Sequence, residues 1–310
     1  LQPLAAAHPP LAKLILGIFL LMAGDSWLSD IDISRILCAL LGSLTCIIIW
    51  VHLKRYGNIV AFFGWFLASI DPLSIRYSIA LLDVAAAMFL TISMWLFTTE
   101  GLNSRAKDSL IGVASGLATL CKYSALPIFL EAYLLEYTMM RKPRKTESLA
   151  VAMLSALVVS LMGNPLFWPS AVLGYSGLET LLSLSSAYSL GPGIVFIFDW
   201  LEPALRSPIH GHQVFYFSTF LSYAFTFPFR LFAESIVAWT LLGCLVHKLK
   251  NKSQLFSDQL SLVPWFVSSI LFFWLVGKSR AEPYYAVMIG PPMTLLASLL
   301  LPFPRRQQSC

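Results

Sequence analysis

The sequence is poor in charge. Asp, Glu, Lys and Arg make up only 12% of its 310 residues, whereas hydrophobic residues make up 57%. A soluble globular chain carries about 25% charged residues. The shortage argues against a soluble enzyme, a disordered chain and a nucleic-acid-binding protein. The net charge of +5 is interpreted as a topology signal, because Lys and Arg between apolar segments orient membrane proteins.

The sequence also lacks ligand and nucleotide motifs. Its five cysteines include no C-x-x-C pair, so it predicts neither a disulfide framework nor a zinc site. P-loop, G-x-S-x-G and H-E-x-x-H motifs are absent, as is the basic start of a signal peptide. His210-Gly211-His212 has metal-type spacing but no defined third ligand. No metal site is therefore predicted, no cofactor is assigned, and a divalent metal stays an alternative.

Long apolar segments predict an all-α integral membrane protein with about nine transmembrane helices. A spanning helix takes about 20 apolar residues. The polar residues 122–124 separate two of the segments and predict a helical hairpin turning there. Leu11–Ala23 and residues 215–227 are short, and we expect both to lie at the outer interface or to re-enter the membrane without crossing it. The nine predicted spans are residues 36–53, 59–70, 79–97, 110–121, 125–137, 149–162, 231–246, 260–276 and 285–301.

Basic residues assign a side to each end of these spans. If the five basic clusters all face the cytoplasm, the chain crosses an even number of times between successive clusters, as the nine spans require. The remaining Lys and Arg residues and several histidines then lie on the extracytoplasmic side. The clusters are Lys54/Arg55, Arg105/Lys107, Arg141/Lys142/Arg144/Lys145, Lys248/Lys250/Lys252 and Arg305/Arg306.

The longest segment between spans, residues 165–213, falls on the same extracytoplasmic side. It is rich in aromatic and apolar residues, among them Trp168 and Trp200. We expect it to pack on the membrane domain as a loop and not to form a module of its own. The whole chain, residues 1–310, is predicted to be one membrane domain.

Residues 8–14, His-Pro-Pro-Leu-Ala-Lys-Leu, resemble the HPPLGKL signature of protein O-mannosyltransferases. The wider family comprises polyprenyl-phosphate-sugar glycosyltransferases with the GT-C membrane fold, including aminoarabinose transferases that act on lipid A. Further motifs agree in order and spacing, and together they span nearly the whole chain. They are Arg35 with the helix that follows it, Leu82-Asp83, the stretch from Gly116 to Tyr123, and Arg280 with Tyr284-Tyr285 and Pro291-Pro292.

The resemblance implies inverting transfer of a mannose-like sugar from a polyprenyl phosphate to an acceptor hydroxyl on the extracytoplasmic face. The acceptor is a protein, lipid or glycan. The family's acidic residue, usually an Asp-Glu pair, precedes HPP, whereas residues 1–7 contain no acid. We therefore expect the main base upstream of Leu1. Alternatives are a non-catalytic membrane subunit and a transporter or flippase of lipid-linked sugar.

The predicted site residues are basic or aromatic groups on the extracytoplasmic side, where a carrier phosphate needs cations or oriented donors. Asp83 is the candidate catalytic carboxylate within this chain, with an architectural ion pair as the alternative. Arg35 and Arg76 are its expected partners. His8, Lys13 and Lys122 have structural or snorkelling alternatives. The predicted substrate-binding residues are His8, Lys13, Arg35, Lys122, His210, His212, Arg280, Tyr284 and Tyr285.

Overall fold

A computed structural model describes residues 10–24, 29–77, 81–99, 104–122, 124–139, 146–164, 231–250, 257–276 and 287–301. These residues form α-helices with short turns between them and contain no strand. This confirms the predicted all-α class for the described part of the chain. The helices are α1 (Leu11–Ala23), α2 (Asp30–Lys54), α3 (Asn58–Ile70), α4 (Pro72–Tyr77), α5 (Leu81–Thr98), α6 (Ser104–Cys121), α7 (Ala125–Met139), α8 (Thr146–Met162), α9 (Ile236–Lys250), α10 (Ser257–Val276) and α11 (Gly290–Leu300).

The helix starts follow local sequence signals. α2 begins six residues before the predicted apolar span, because the Ser29 side chain accepts a hydrogen bond from the Asp32 backbone N–H at 3.3 Å. Asp30 and Asp32 also place negative charge in the first turn, where it stabilises the helix dipole. α11 begins at Gly290 and not at residue 285, since its two prolines fit the first turn, whose backbone donors need no helical partner.

One predicted span is interrupted. The structure has helical residues 231–234, a break at Ser235, and then α9. The Ser235 hydroxyl accepts a hydrogen bond from the Ala238 backbone N–H at 3.1 Å and so starts a new helix. α4 is a short helix that the apolar pattern did not predict. Residues 215–227, predicted to form an interfacial helix, lie outside the described residues.

One face of α2 has the apolar surface typical of a membrane helix. Large apolar side chains are exposed along one face of α2, at Ile36, Leu40, Leu44, Ile47 and Val51, as in a helix that faces lipid. Among the described helices, α2 alone is both long and apolar enough to cross a bilayer by itself, with 25 residues and a mean hydropathy of 2.3 in its most apolar stretch. Six further apolar helical stretches in the described part of the chain are shorter, at 10 to 17 residues. The count of nine crossings stays a prediction.

One end of the bundle is formed by cations at the C-terminus of α5; we refer to it as the basic end. The Arg55 guanidinium donates to the Thr98 carbonyl, and the Lys107 ammonium donates to the Thr99 carbonyl. These carbonyls lack helical partners, and the negative helix end attracts positive charge. Arg55 also lies over the Tyr56 ring, with 4.7 Å from Cζ to the ring centroid. Two of the five predicted cytoplasmic clusters therefore meet at one end.

Close backbone approach fixes the parallel packing of α6 and α8. A Cβ atom at Gly116 would lie 2.7 Å from the Val159 Cβ and 2.8 Å from the Ala156 carbonyl oxygen. One turn earlier, a Cβ at Gly112 would collide with the Ala152 carbonyl. Since both numbers rise together along the two helices, α6 and α8 run in the same direction. The topology predicted from charge requires this direction.

Candidate functional site

The end of the bundle opposite the basic end contains a buried ion pair. Asp83 lies in the first turn of α5, and Lys122 follows the last residue of α6. The Lys122 Nζ donates to Asp83 Oδ2 at 3.1 Å, and the two side chains are 9% and 2% exposed. The two helices are antiparallel, since the start of α5 meets the end of α6 at this pair, whereas Thr99 after the end of α5 meets Lys107 at the start of α6. Asp83 and Lys122 therefore define what we call the ion-pair end.

A second buried carboxylate joins three segments at this end. Asp71 follows the last residue of α3, and its Oδ2 accepts hydrogen bonds from the Ser74 backbone N–H and hydroxyl at 3.3 and 3.1 Å. Its Oδ1 accepts from the Ser235 hydroxyl at 2.9 Å and from the Ile236 backbone N–H at 3.0 Å. Asp71 thus caps α4 and holds the start of α9 at the same time. Four donors satisfy the hydrogen-bonding capacity of this fully buried carboxylate.

Two partly exposed ion pairs lie at helix ends, one at the start of α2 and one at the end of α4. Arg76 of α4 contacts Glu234 at 3.2 Å. Arg35 of α2 contacts Asp32 at 3.9 Å within its own helix. Both guanidiniums are about two-thirds exposed, so the pairs themselves contribute little stability. Their positions leave charged groups accessible at the ends of α2 and α4.

A cavity of about 400 Å³ lies between α2, α3, α4, α5 and α11. On α2 its lining runs from Cys38 to Ile49, a distance of about 16 Å along the helix axis. Ser74 and Gly290 line it too, and a Cβ at Gly290 would lie 3.0 Å from the Ser74 hydroxyl oxygen. Small residues on four helices leave the space open. They are Ala39, Gly42, Ser43, Ala68, Ser69, Ala87 and Gly290.

The sequence family follows from a match over this same part of the chain. The model of the dolichyl-phosphate-mannose-protein mannosyltransferase family matches residues 7–168, just over half of the chain. The matched part runs from the His8 motif through α8 and includes Asp71, Asp83 and Lys122. The chain belongs to the dolichyl-phosphate-mannose-protein mannosyltransferase family.

A solved structure shows the same fold at low sequence identity. The chain is similar to ArnT from Cupriavidus metallidurans in the apo state, with a TM-score of 0.55 and 16% identity. The similarity covers 94% of this chain and 49% of the ArnT chain, so the sequence spans about half the length of the solved protein. No curated protein matches the chain in sequence. Family and fold together identify an integral membrane protein.

In this mannosyltransferase-family chain, three of the predicted substrate-binding residues lie within the described part. Lys13 is an exposed residue of α1, Arg35 is exposed at the start of α2, and Lys122 is buried against Asp83. None of the three lines the 400 Å³ cavity. The other six predicted residues lie outside the described residues. They are His8, His210, His212, Arg280, Tyr284 and Tyr285.

The expected partner of Asp83 is corrected. Arg35 and Arg76 were the predicted partners, but Lys122 fills that position, while Arg35 contacts Asp32 and Arg76 contacts Glu234. The antiparallel packing of α5 on α6 brings the start of one helix to the end of the other. Helix packing, and not closeness in sequence, therefore brings Lys122 to Asp83 across 39 residues.

Asp71 was missed by the sequence analysis, although a signal existed. An Asp followed by Pro is a typical helix start, with the carboxylate as cap and the proline in the first turn. The apolar run that precedes it drew attention to a span instead. Within the described residues, no group of three or more His, Cys, Asp or Glu side chains is arranged to hold a metal ion. The His210/His212 pair lies outside that part of the chain.

Proposed function

We propose that the chain is a membrane glycosyltransferase that moves a mannose-like sugar from a polyprenyl-phosphate donor to an acceptor hydroxyl on the extracytoplasmic face. The observation that carries this proposal is the family match over residues 7–168. The similarity of the fold to ArnT over 94% of the chain supports it. The donor, the acceptor and the side of the membrane are parts of the proposal.

The reaction is a single inverting displacement. The acceptor oxygen forms a bond to the anomeric carbon as the bond between that carbon and the phosphate oxygen breaks. The acceptor proton passes to a carboxylate base, and polyprenyl phosphate leaves with the electron pair. Base and phosphate ligands act together in such a step, because negative charge grows on the leaving oxygen.

The carrier phosphate is assigned to the basic groups predicted on the extracytoplasmic side. His8 and Lys13 belong to the family motif, and Arg280 supplies a planar guanidinium that suits phosphate oxygens. Arg35 and Lys122 complete the cationic set, with Tyr284 and Tyr285 as aromatic neighbours of Arg280. His210 and His212 are assigned to the sugar or acceptor side.

The Asp83–Lys122 pair limits what either group does alone. A lysine held at 3.1 Å by a buried carboxylate presents less net charge to a phosphate than a lone lysine. The same pairing makes Asp83 an unsuitable base while the pair is intact, because its charge is already compensated. We therefore propose that the pair positions the ends of α5 and α6 beside the donor. Lys122 would bind the donor phosphate only if that phosphate displaced the Asp83 carboxylate.

The direction of the described helices supports the proposed topology. Lys54, Arg55 and Lys107 gather at the basic end, while Asp83 and Lys122 lie at the other. α9 starts beside Asp71 and ends at basic Lys248 and Lys250. An even number of crossings between successive basic clusters requires the same division between a cytoplasmic and an extracytoplasmic end.

A non-catalytic membrane subunit is the second candidate. The observation that favours it is the Asp83–Lys122 contact, which occupies the one candidate catalytic carboxylate named from this sequence. Such a subunit would bind the lipid-linked sugar without converting it. A flippase would bind the donor and move it across the bilayer unchanged.

Donor binding tests the phosphate site directly. Full-length protein in mild detergent is titrated with dolichyl-phosphate mannose, comparing wild type with Arg280→Ala, Arg280→Lys and Lys248→Ala. We expect Arg280→Ala to weaken binding about tenfold or more, since charge-assisted hydrogen bonds contribute about 1.5 to 3 kcal/mol. Arg280→Lys recovers part of the loss, and Lys248→Ala, at the basic end, leaves binding unchanged. Equal effects of Arg280→Ala and Lys248→Ala would reject the proposed site.

A further inference from the structure

The 400 Å³ cavity opens sideways onto the lipid-facing surface of the bundle. Ile47 of α2, Trp65 of α3 and Ile75 of α4 line the cavity and are themselves exposed, by 52%, 36% and 57%. Its floor is formed by α5 and α11 through Val84, Ala87 and Thr294. We refer to this space as the lateral groove. It connects the interior of the bundle with the bilayer beside α2 and α3.

The size and the apolar walls of the lateral groove favour occupation by a hydrocarbon chain. Protein interiors pack with few voids larger than a water molecule, so an open groove of this size is occupied in the membrane. Its walls are mainly apolar, and apolar cavities do not hold water well. The exposed faces around its opening contact lipid chains, which are the nearest material able to enter.

Charge at one end of the groove specifies the headgroup. Ile75 lines the groove, and the next residue, Arg76, contacts Glu234 at 3.2 Å. Neither Arg76 nor Glu234 lines the groove, but Arg76 directly follows a lining residue, so the guanidinium and the carboxylate lie side by side next to this end of it. A purely anionic headgroup would meet repulsion from Glu234. A zwitterionic headgroup matches both, with its phosphate on Arg76 and its ammonium on Glu234.

We propose that the lateral groove binds a phosphatidylethanolamine molecule, with one acyl chain between α2, α3 and α5 and the headgroup across Arg76 and Glu234. Ethanolamine is favoured over choline because a primary ammonium donates hydrogen bonds to a carboxylate, whereas a quaternary ammonium has no N–H. The site is separate from the proposed transferase chemistry and stands without it.

Gly42 offers a direct way to fill the groove. It lines the space, and a Cβ atom built on it meets nothing within 4 Å. The Leu side chain in Gly42→Leu would therefore enter the groove without a backbone collision. Gly243 of α9 is a matched control, because its Cβ also meets nothing within 4 Å and it does not line the groove.

The experiment measures lipid retention by the intact protein. Wild-type, Gly42→Leu and Gly243→Leu proteins are purified in mild detergent, stripped of lipid and titrated with phosphatidylethanolamine, with bound lipid counted by native mass spectrometry. We expect one tightly held lipid on wild type and Gly243→Leu. In Gly42→Leu the half-saturating concentration rises about tenfold or more, because the leucine side chain takes the space of several acyl-chain methylenes that are buried in wild type. Equal retention by Gly42→Leu and wild type would overturn the proposal.

Titrations with other lipids test whether the groove prefers phosphatidylethanolamine. Phosphatidylglycerol and phosphatidylcholine should bind several-fold more weakly, and Glu234→Gln should remove most of the preference for ethanolamine over glycerol. Dolichyl phosphate, whose proposed ligands include Arg35 on the neighbouring helix, is the competing occupant. If it displaces phosphatidylethanolamine from wild type and Gly42→Leu abolishes its binding, the groove holds the carrier chain and the proposal is wrong.

Discussion

Lys122 and Asp83 join the end of α6 to the start of α5 through one buried contact of 3.1 Å. The two helices are antiparallel neighbours, so this contact fixes their register at the ion-pair end. A buried ion pair is strongly destabilising to break but contributes little compared with an apolar pair of similar size. An architectural pair should therefore tolerate replacement of both residues by apolar ones but not replacement of one alone. A lysine needed for substrate binding should lose binding in either case.

Removing one charged side chain of this pair should destabilise the protein. Lys122→Met leaves Asp83 as a buried charge without its cation, and we expect a loss of about 3 to 5 kcal/mol. The double variant Asp83→Leu with Lys122→Met should recover most of that loss. Thermal unfolding in detergent provides the measurement. A double variant no more stable than Lys122→Met would contradict an architectural role.

Removing the Asp71 carboxylate should loosen α4 and the start of α9 together. Asp71→Ala leaves the Ser235 hydroxyl and the Ile236 N–H without their acceptor, and each unsatisfied buried donor costs about 1 to 3 kcal/mol. Asp71→Asn keeps an oxygen acceptor and should lose less. Asp30→Ala, at the exposed start of α2, serves as the control, with a change below about 1 kcal/mol. A loss in Asp71→Ala as small as the control's would count against this role.

Gly→Ala substitutions on α6 and α9 should change the stability of the protein in opposite directions. Gly116→Ala places a methyl group 2.7 Å from Val159 Cβ and 2.8 Å from the Ala156 carbonyl, so α6 and α8 must separate at a cost of about 1 to 3 kcal/mol. Gly243→Ala meets open space and should raise stability by up to about 1 kcal/mol, since alanine favours helix. Unfolding midpoints that move in the same direction would refute the proposed close packing.

Impermeant thiol labelling should separate the two ends of the bundle. In a protein whose five cysteines are replaced, Lys142→Cys and Lys107→Cys should label from the cytoplasmic side only. Leu190→Cys and Arg76→Cys should label from the extracytoplasmic side only. We expect this because Arg55 and Lys107, from two basic clusters predicted to be cytoplasmic, lie together at one end of the bundle. Labelling of positions 142 and 190 from the same side is incompatible with the topology.

The sequence predicts helices better than it predicts the contacts between them. The apolar runs at residues 59–70 and 149–162 located α3 and α8 within a few residues, because a helix in lipid needs a continuous apolar surface. It missed the break at Ser235 and the start of α2 at Asp30, since both depend on hydrogen bonds from single polar side chains. The caps are local signals, and attention to them would have improved both boundaries.

The site was harder to predict for a different reason. Asp83 and Lys122 were each identified as unusual polar residues in apolar surroundings, but their pairing depends on how α5 lies against α6. Asp71 meets Ser235 across 164 positions of sequence, and no single-sequence pattern encodes that distance. Charge placement within one helix is predictable; charge pairing between helices requires the packed bundle.

Transfer of a sugar from a lipid-linked donor releases the carrier lipid phosphate, so donor conversion separates a transferase from a protein that only binds the donor. Full-length protein is reconstituted with dolichyl-phosphate mannose and acceptor-containing membranes, and release of dolichyl phosphate is followed over time. We expect release that depends on the acceptor membranes, falls strongly in Arg280→Ala and persists in Lys248→Ala. If the wild-type protein binds the donor but releases no dolichyl phosphate, the chain is not a transferase and is better explained as a non-catalytic subunit.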